Sequence, residues 1–223
     1  MKPRLDEMMI ARRAAKEFPD GAIVNLGFGM PGLCSTFVPK GRRVIFQSEN
    51  GALGFGPVLT EEQRDQWDYY LVNASGQFVS WSPGMSLFDS ATSFGMIRGG
   101  HIDVTVLGAL QVSERGDLAN WSAPRRAGGM GGAMDLAIGA RKVIVTMEHT
   151  TKDNEFKILK DCTYPLTAKE CVDLIVTDLA VIEVTKKGLV LKEFAPGWTV
   201  EEIQELTEPK LITANDLKEI DKQ

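Results

Sequence analysis

Four short, largely apolar segments in the first two thirds of the chain constrain its fold most. They are AIVNLG, RRVIFQ, DVTVLG and KVIVTME. Each has the length and composition of a strand, and helical or glycine-rich segments separate them. Strands that alternate with helices form a mostly parallel sheet with helices packed on it. We therefore predict an α/β fold in which helices cover a mixed, mostly parallel sheet.

Apolar spacing predicts the first helix, over residues 4–17. Its apolar side chains recur every three or four positions, at Leu5, Met8, Ala11, Ala15 and Phe18. Farther along, the glycine-rich segment GGMGGAMD precedes a short helix that we predict to extend through Ala137.

Capping-box spacing predicts three more helices. Ser86 and Asp89 have this spacing and precede apolar residues on one face, which predicts a helix over residues 87–97. Residues 60–63 and 199–202 have the same spacing and predict two short helices.

The last third of the chain contains a β-hairpin signature. The segments AVIEV and GLVLKEF flank Thr185-Lys186-Lys187, which predicts two paired strands. YYLVN and QFVSW predict another strand pair, around a turn at residues 74–76. No internal repeat or clear linker interrupts the pattern, so we predict a single domain over residues 1–223.

Composition excludes several classes of function. The net charge of -5 is spread over mixed signs, with no basic tail, which disfavours nucleic acid as a partner. Three cysteines without metal-binding spacing, and only two histidines, argue against a metal site and fit a reduced protein. No segment has the apolar length of a membrane span, and the start lacks a signal-peptide core. We expect a cytoplasmic protein.

Three glycine-bearing turns are candidate ligand sites, because ligands of open α/β sheets bind beyond the carboxyl ends of strands. They are GFGMPG, SENGALGFG and GGMGGAMD. Each serves equally well as a plain tight turn. GFGMPG matches the dinucleotide-binding pattern by count, but Pro31 falls where that pattern needs a helix start, so no dinucleotide site is predicted.

Glu49 is the candidate catalytic residue. It follows the apolar run VIF and precedes glycines, an unusual place for a carboxylate. Three roles are open: a structural role, as a helix cap or an arginine partner; a general base; or a nucleophile that forms a covalent intermediate. A carboxylate is ionised at neutral pH without a helper base.

Five motifs together make the chain resemble a known family. VNLGFGMP, QSENGALGFGP, SFGMIRGGHIDVTVLGALQVSERGDLANW, GMGGAMDLA and CTYPLTAKEC span nearly the whole sequence. With these motifs the chain closely resembles the β subunit of class I coenzyme A transferases, of the 3-oxoacid or acetate type. The resemblance implies the fold of that family.

The resemblance also implies a mechanism and its residues. Glu49 would be the catalytic glutamate, which forms an acyl anhydride and then a glutamyl-CoA thioester. The backbone around Gly132 and Ala133 would stabilise the oxyanion; the alternative is a plain helix start. CoA is then a substrate, and no metal or other cofactor is expected.

CoA-binding residues follow from the same resemblance. They would include Asn120, Asn50 and Gly51. For Asn120, an asparagine that only forms a turn is the alternative. The family often has a lysine where this chain has Gln77, so no CoA contact is assigned there. Two arginines form a basic loop at residues 125–126. They either replace the positive charge that is lost at position 77 or are a solvent-exposed pair on the surface. His101 and Arg98 are expected to be structural, with Arg98 pinning a loop.

The family pairs this subunit with an α subunit, commonly as α2β2, so we expect that partner together with acyl-CoA and small carboxylic acids. Two alternatives remain: an acyl-CoA hydrolase, and a non-catalytic acyl-CoA sensor on the same fold. The residues do not indicate which acids are exchanged.

Overall fold

The computed structural model describes residues 2–124 and 126–221. This part of the chain forms four α-helices, two 3-10 helices (Met30–Phe37 and Glu61–Gln66) and fifteen strands. The α-helices are α1 (Glu7–Ala15), α2 (Ser90–Arg98), α3 (Ala133–Gly139) and α4 (Val200–Glu205). The strands are β1 (Ile23–Leu26), β2 (Ile45–Ser48), β3 (Ala52–Leu53), β4 (Ser86–Leu87), β5 (Val104–Gly108), β6 (Gln111–Ser113), β7 (Leu118–Ala119), β8 (Ser122–Ala123), β9 (Arg126–Ala127), β10 (Val143–Met147), β11 (Ile158–Leu159), β12 (Leu174–Thr177), β13 (Ala180–Thr185), β14 (Gly188–Phe194) and β15 (Ile212–Glu219).

One ten-stranded sheet dominates the fold, in the order β15-β14-β13-β12-β10-β5-β1-β2-β3-β4. Its central strands, from β12 to β2, are all parallel. Antiparallel strands flank them: β13 and β14 form the late hairpin on one side, and β3 and β4 extend the other. The predicted α/β fold, with its mixed and mostly parallel sheet, is confirmed.

A separate apolar core lies on each side of this sheet. In β5, Val106 packs into the core that contains Ile10 of α1, whereas Leu107 packs into the core that contains Ile97 of α2 and Leu136 of α3. Successive strand residues point to opposite faces, so a strand covered on both sides must be apolar throughout. This explains the continuous apolar segments of the sequence.

Three neighbouring parallel strands, β2, β1 and β5, end at one edge of the sheet, and β1 and β2 carry the candidate turns GFGMPG and SENGALGFG there. β1 ends before Gly27, β2 ends before Glu49, and β5 ends at Gly108. Because neighbouring parallel strands have their carboxyl ends at the same edge, these turns lie side by side.

Two predicted helices begin at other residues than expected. α1 begins at Glu7, where the Asp6 carboxylate accepts a hydrogen bond from the Met9 N–H. The prediction of a Ser86–Asp89 capping box was wrong. Asp89 itself caps α2, and Ser86 lies in the short strand β4. Aspartate is a strong N-cap alone, because its carboxylate accepts from the free N–H groups of the first turn.

The segment around residues 74–76 also differs from the prediction. The turn is present, with Gly76 at a φ of 73°. The flanking strands are wrong: only the isolated bridges Val72–Phe78 and Val58–Val79 form. Pro31 does not prevent a helix, since it lies in the first turn of a 3-10 helix, where its missing N–H costs no hydrogen bond.

Other predicted elements are confirmed. The capping box at Thr199 begins α4, and the one at Thr60 begins a 3-10 helix. The glycine-rich segment before α3 precedes a helix as expected. Among the described residues, no helix combines the length and apolar composition needed to cross a bilayer.

Candidate active site

Glu49 is half-buried and lines a cleft of about 490 Å³ at the carboxyl edge of the sheet. Glycine-rich backbone forms much of the wall, from Gly27, Gly108 and residues 128–132. Wider surface clefts of about 700 and 780 Å³ lie elsewhere and do not include Glu49. The smaller cleft therefore matters more for chemistry, because it contains the candidate nucleophile.

A buried amide holds the Glu49 carboxylate. Asn25, fully buried in β1, donates from Nδ2 to Glu49 Oε2 at 3.2 Å and to Gln47 Oε1 at 2.7 Å. The donor is neutral, so it orients the carboxylate without neutralising its charge.

The structural roles left open for Glu49 find no support. The N-cap of the nearby α2 is Asp89. Among the residues whose side chains are described, 2–124 and 128–221, no lysine, arginine or histidine forms an ion pair with Glu49. A carboxylate that faces a cleft without a cationic partner is suited to react.

Gly132 lies directly beside Glu49. It precedes α3, and a Cβ atom placed on it would lie 3.4 Å from Glu49 Cγ. Its φ of -82° is open to any residue, so a side chain here is limited by space rather than by backbone conformation. The Ala133 N–H donates to the Met130 carbonyl at 3.3 Å. Within the described residues the Gly132 N–H has no such acceptor, which makes it the better candidate of the two for an oxyanion donor.

Asn120 also lines the cleft. Its Oδ1 accepts from Thr167 Oγ1 at 2.6 Å, and its backbone N–H donates to the same oxygen at 3.2 Å. These bonds fix the side chain and leave the Nδ2 group without an acceptor among the described residues. The arrangement suits an amide that donates to a ligand.

Asn50 and Gly51 are not brought into the cleft. Asn50 donates from Nδ2 to the Val72 carbonyl at 2.7 Å. Gly51 is buried at a φ of 118°, and a Cβ atom there would collide with the Phe88 carbonyl oxygen. Both residues shape the turn that carries Glu49. A direct CoA contact by either one stays a prediction.

The remaining polar candidates have structural contacts. Arg98 donates to Asp135 at 2.7 Å and so ties α2 to α3. Gln77 accepts from the Asn73 amide at 3.0 Å. His101 is exposed. Arg125, and the side chain of Arg126, lie outside the described part of the chain.

Cysteine nucleophiles are disfavoured. Burial raises the pKa of the Cys34, Cys162 and Cys171 thiols to about 12, so they stay protonated near neutral pH. Among the described residues, no cluster of histidine, cysteine, aspartate or glutamate is suited to hold a metal ion.

Sequence reasoning missed the residues that support Glu49: Asn25, Gln47 and Ser93. The available signal was a polar residue inside an apolar run, as in AIVNLG and VIFQS. Such a residue is buried only if it is hydrogen-bonded.

Known proteins resemble this chain in sequence. The sequence model of the family described as Coenzyme A transferase matches residues 7–206. The chain is 49% identical over 209 residues to the beta subunit of acetate CoA-transferase from Escherichia coli K12, covering 93% of this chain and 94% of that protein. It is 45% identical over 213 residues to one subunit of the 3-oxoadipate CoA-transferase of Acinetobacter baylyi, covering 95% and 97%. The human mitochondrial succinyl-CoA:3-ketoacid coenzyme A transferase 2 is 52% identical over 201 residues, but these are 89% of this chain and only 38% of that protein.

Solved structures support the fold. The acyl-CoA transferase YdiF of Escherichia coli O157:H7 matches with a TM-score of 0.75 at 20% identity, over 100% of this chain and 44% of that one. Glutaconate coenzyme A-transferase of Acidaminococcus fermentans matches with a TM-score of 0.71 at 18% identity, over 98% and 90%. The decarboxylase AibA/AibB matches with 0.68 at 16%, over 96% and 88%. Since a decarboxylase shares the architecture, the fold alone does not specify the reaction.

Proposed function

This chain belongs to the coenzyme A transferase family, and from that premise we propose that it is the subunit that supplies the nucleophile, Glu49. The reaction would transfer CoA between an acyl-CoA and a short-chain carboxylic or 3-oxo acid. One observation carries the assignment: the Glu49 carboxylate faces the cleft, held by the neutral Asn25 amide and adjacent to the Gly132 backbone.

The first half of the reaction forms a glutamyl-CoA thioester. A Glu49 oxygen attacks the acyl-CoA carbonyl carbon, the C–S bond breaks, and CoA thiolate leaves behind an acyl-glutamyl anhydride. The thiolate then attacks the Glu49 carbonyl carbon. The anhydride C–O bond breaks, and the donor acid departs as its carboxylate.

The second half reverses these steps with the acceptor acid. Its carboxylate attacks the glutamyl thioester and displaces the thiolate, which then attacks the acceptor's carbonyl carbon. The new acyl-CoA forms and the Glu49 carboxylate is restored. No electron is taken up, so the cycle requires no redox cofactor. We propose that it also proceeds without a metal, with CoA as a substrate.

The reaction needs a reactive carboxylate and a donor that stabilises the oxyanion, and the surroundings of Glu49 fit both needs. A carboxylate is a better nucleophile when fixed protein dipoles replace its water shell. The Asn25 amide provides such a dipole. Each addition step places negative charge on a carbonyl oxygen, and a backbone donor aimed at that oxygen contributes about 3 kcal/mol. The Gly132 N–H is the candidate donor.

The proposal includes a partner. Relatives of the same length are named as single subunits, and that of the acetate enzyme as its beta subunit. These names support pairing with an α subunit, and we propose α2β2. The human relative and YdiF are much longer than this chain. The cleft described here would then be completed by the partner, in a cytoplasmic complex.

A transfer assay tests the function. The complex with its partner subunit is given acetyl-, acetoacetyl-, succinyl- or butyryl-CoA together with a panel of acids, and both new acyl-CoA and free CoA are measured. A transferase yields new acyl-CoA only when donor and acceptor are both present. Free CoA without an acceptor would indicate the hydrolase, and binding without turnover of any donor would indicate the sensor.

A further inference from the structure

Behind Glu49 lies a chain of buried hydrogen bonds, which we call the Ser93–Gln47–Asn25 relay. Ser93 Oγ on α2 donates to the Ser48 carbonyl at 3.2 Å and accepts from Gln47 Nε2 at 2.7 Å. Gln47 Oε1 accepts from Asn25 Nδ2 at 2.7 Å, and the same Nδ2 donates to Glu49 Oε2 at 3.2 Å. The three relay side chains are at most 2% exposed.

The relay has a direction, which its carbonyl end sets. A backbone carbonyl can only accept, so the single hydroxyl proton of Ser93 is used on Ser48. Ser93 Oγ must therefore accept from Gln47, which places the Nε2 group of Gln47 towards α2. The Oε1 atom of Gln47 then faces β1, and only the NH2 group of Asn25 can meet it.

If the side-chain amide of Asn25 were flipped, its oxygen would repel the Glu49 carboxylate. Its Oδ1 atom would then face three acceptors: the backbone and side-chain oxygens of Gln47, and Glu49 Oε2. In the observed orientation Asn25 Oδ1 has no hydrogen-bond partner among the described residues. Nothing on that side fixes the amide, so its orientation depends on Gln47.

We propose that Ser93 and Gln47 are positioning residues for the nucleophile, acting on Glu49 through Asn25. This rests on the proposed function of Glu49. The relay holds Glu49 Oε2 with a neutral donor, and within the described residues no donor holds Oε1, which would attack the thioester. Ser93 lies on a helix that supplies no residue to the cleft lining, so it acts on Glu49 through its bonds to Gln47 and to the carbonyl of Ser48, the residue before Glu49. The double variant described below separates these two routes.

The test compares single-turnover rates of adduct formation. The complex with its partner subunit is mixed with a saturating acyl-CoA and no acceptor. The reaction is quenched at a series of times, and the adduct is quantified by intact-mass spectrometry. The donor is whichever of acetyl-, acetoacetyl-, succinyl- or butyryl-CoA gives most adduct with the unmodified protein. The variants are Ser93→Ala, Gln47→Met and their combination. Ser90→Ala is the matched control, because Ser90 lies on the same helix but is exposed.

We expect Ser93→Ala to slow adduct formation about tenfold, on the scale of a sub-ångström misplacement. Its dissociation constant for the acyl-CoA should stay within about twofold of the unmodified value, since Ser93 lies outside the cleft lining. The double variant should be no slower than Gln47→Met, because residues in one network are not additive. Ser90→Ala should behave as the unmodified protein.

Two results would overturn the relay: a Ser93→Ala rate equal to that of the control, or losses that multiply in the double variant. If Gln47→Met does not fold, as judged by melting temperature, the Ser93→Ala and Ser90→Ala pair still decides. Failure of the unmodified protein to form any adduct at Glu49 would instead refute the proposed function. An unaffected Ser93→Ala variant beside a reactive unmodified protein would refute only the relay.

Discussion

Substitution of Gly132 tests how closely the cleft is fitted around the nucleophile. A Cβ atom on Gly132 would lie 3.2 Å from Phe94 Cζ and 3.4 Å from Glu49 Cγ. Favourable carbon contacts lie at about 3.5–4.0 Å. The methyl group of Gly132→Ala must therefore displace Phe94 and Glu49 by a few tenths of an ångström.

The expected loss of rate follows from that displacement. A misplacement of about 1 Å costs on the order of a hundredfold in rate. If the logarithm of the rate loss scales with the displacement, a shift of about 0.3 Å lowers the rate of Gly132→Ala about fourfold. Gly132→Val adds two methyl groups in the same crowded space, so its shift approaches about 1 Å and its loss about a hundredfold. Neither variant is strained in its backbone, because φ at this position is -82°.

The rate of single-turnover adduct formation and the affinity for acyl-CoA are both measured on the complex. Together they separate a loss of reaction rate from a loss of substrate binding. Gly95→Ala is the control. Gly95 lies on α2 outside the cleft lining, and its added Cβ would meet no atom within 4 Å. We expect a graded loss of rate from Ala to Val at position 132 with similar affinity, and no loss at 95. An undiminished rate in a folded Gly132→Val protein would refute the proposed fit between this backbone and Glu49.

Three further predictions concern the turn, CoA binding and pH. Gly51→Ala should lower the free energy of unfolding by about 3 kcal/mol in denaturant titrations, since its Cβ collides with the Phe88 carbonyl at positive φ; an unchanged midpoint would contradict this. Asn120→Ala should raise the KM for acyl-CoA about tenfold and change the saturated rate little; a loss confined to the saturated rate would exclude a binding role. Burial lowers the pKa of His149 to about 4, below the usual value of about 6.5. The unfolded chain therefore binds more protons in this window, and the free energy of unfolding should fall as pH drops from about 6.5 to about 4. A pH-independent value in this range, measured in a His101→Gln background to remove the other histidine, would show that this is wrong.

Strands with continuous apolar sequence were predictable, and those without were not. β1, β2, β5 and β10 are buried on both faces, so their composition indicates them directly. β15 has an exposed, polar sequence and forms a strand only because β14 offers it an edge. Its pairing is tertiary, and no local pattern shows it.

The candidate site likewise contains one residue that was predictable from sequence and others that were not. Glu49 was predictable as an acidic residue at the end of an apolar run. Its support was not, because Asn25 and Gln47 become neighbours only through the register of β1 and β2. Ser93 joins them from a helix 45 residues beyond Ser48 in sequence. A contact between residues so far apart in sequence cannot be predicted from local sequence patterns.

The most direct test of the central claim is to locate the covalent adduct. The complex is incubated with an acyl-CoA and no acceptor, reduced with borohydride, and mapped by peptide mass. Unmodified protein should carry its adduct at Glu49. Glu49→Asp should react slowly, because the carboxylate is drawn back by about 1.5 Å against a near-attack distance of about 3–3.5 Å. Glu49→Gln and Glu49→Ala should form none while keeping their melting temperature. An adduct at Glu114 or Glu148, which lie outside the cleft lining, or any CoA adduct on a folded Glu49→Ala protein, would contradict the account.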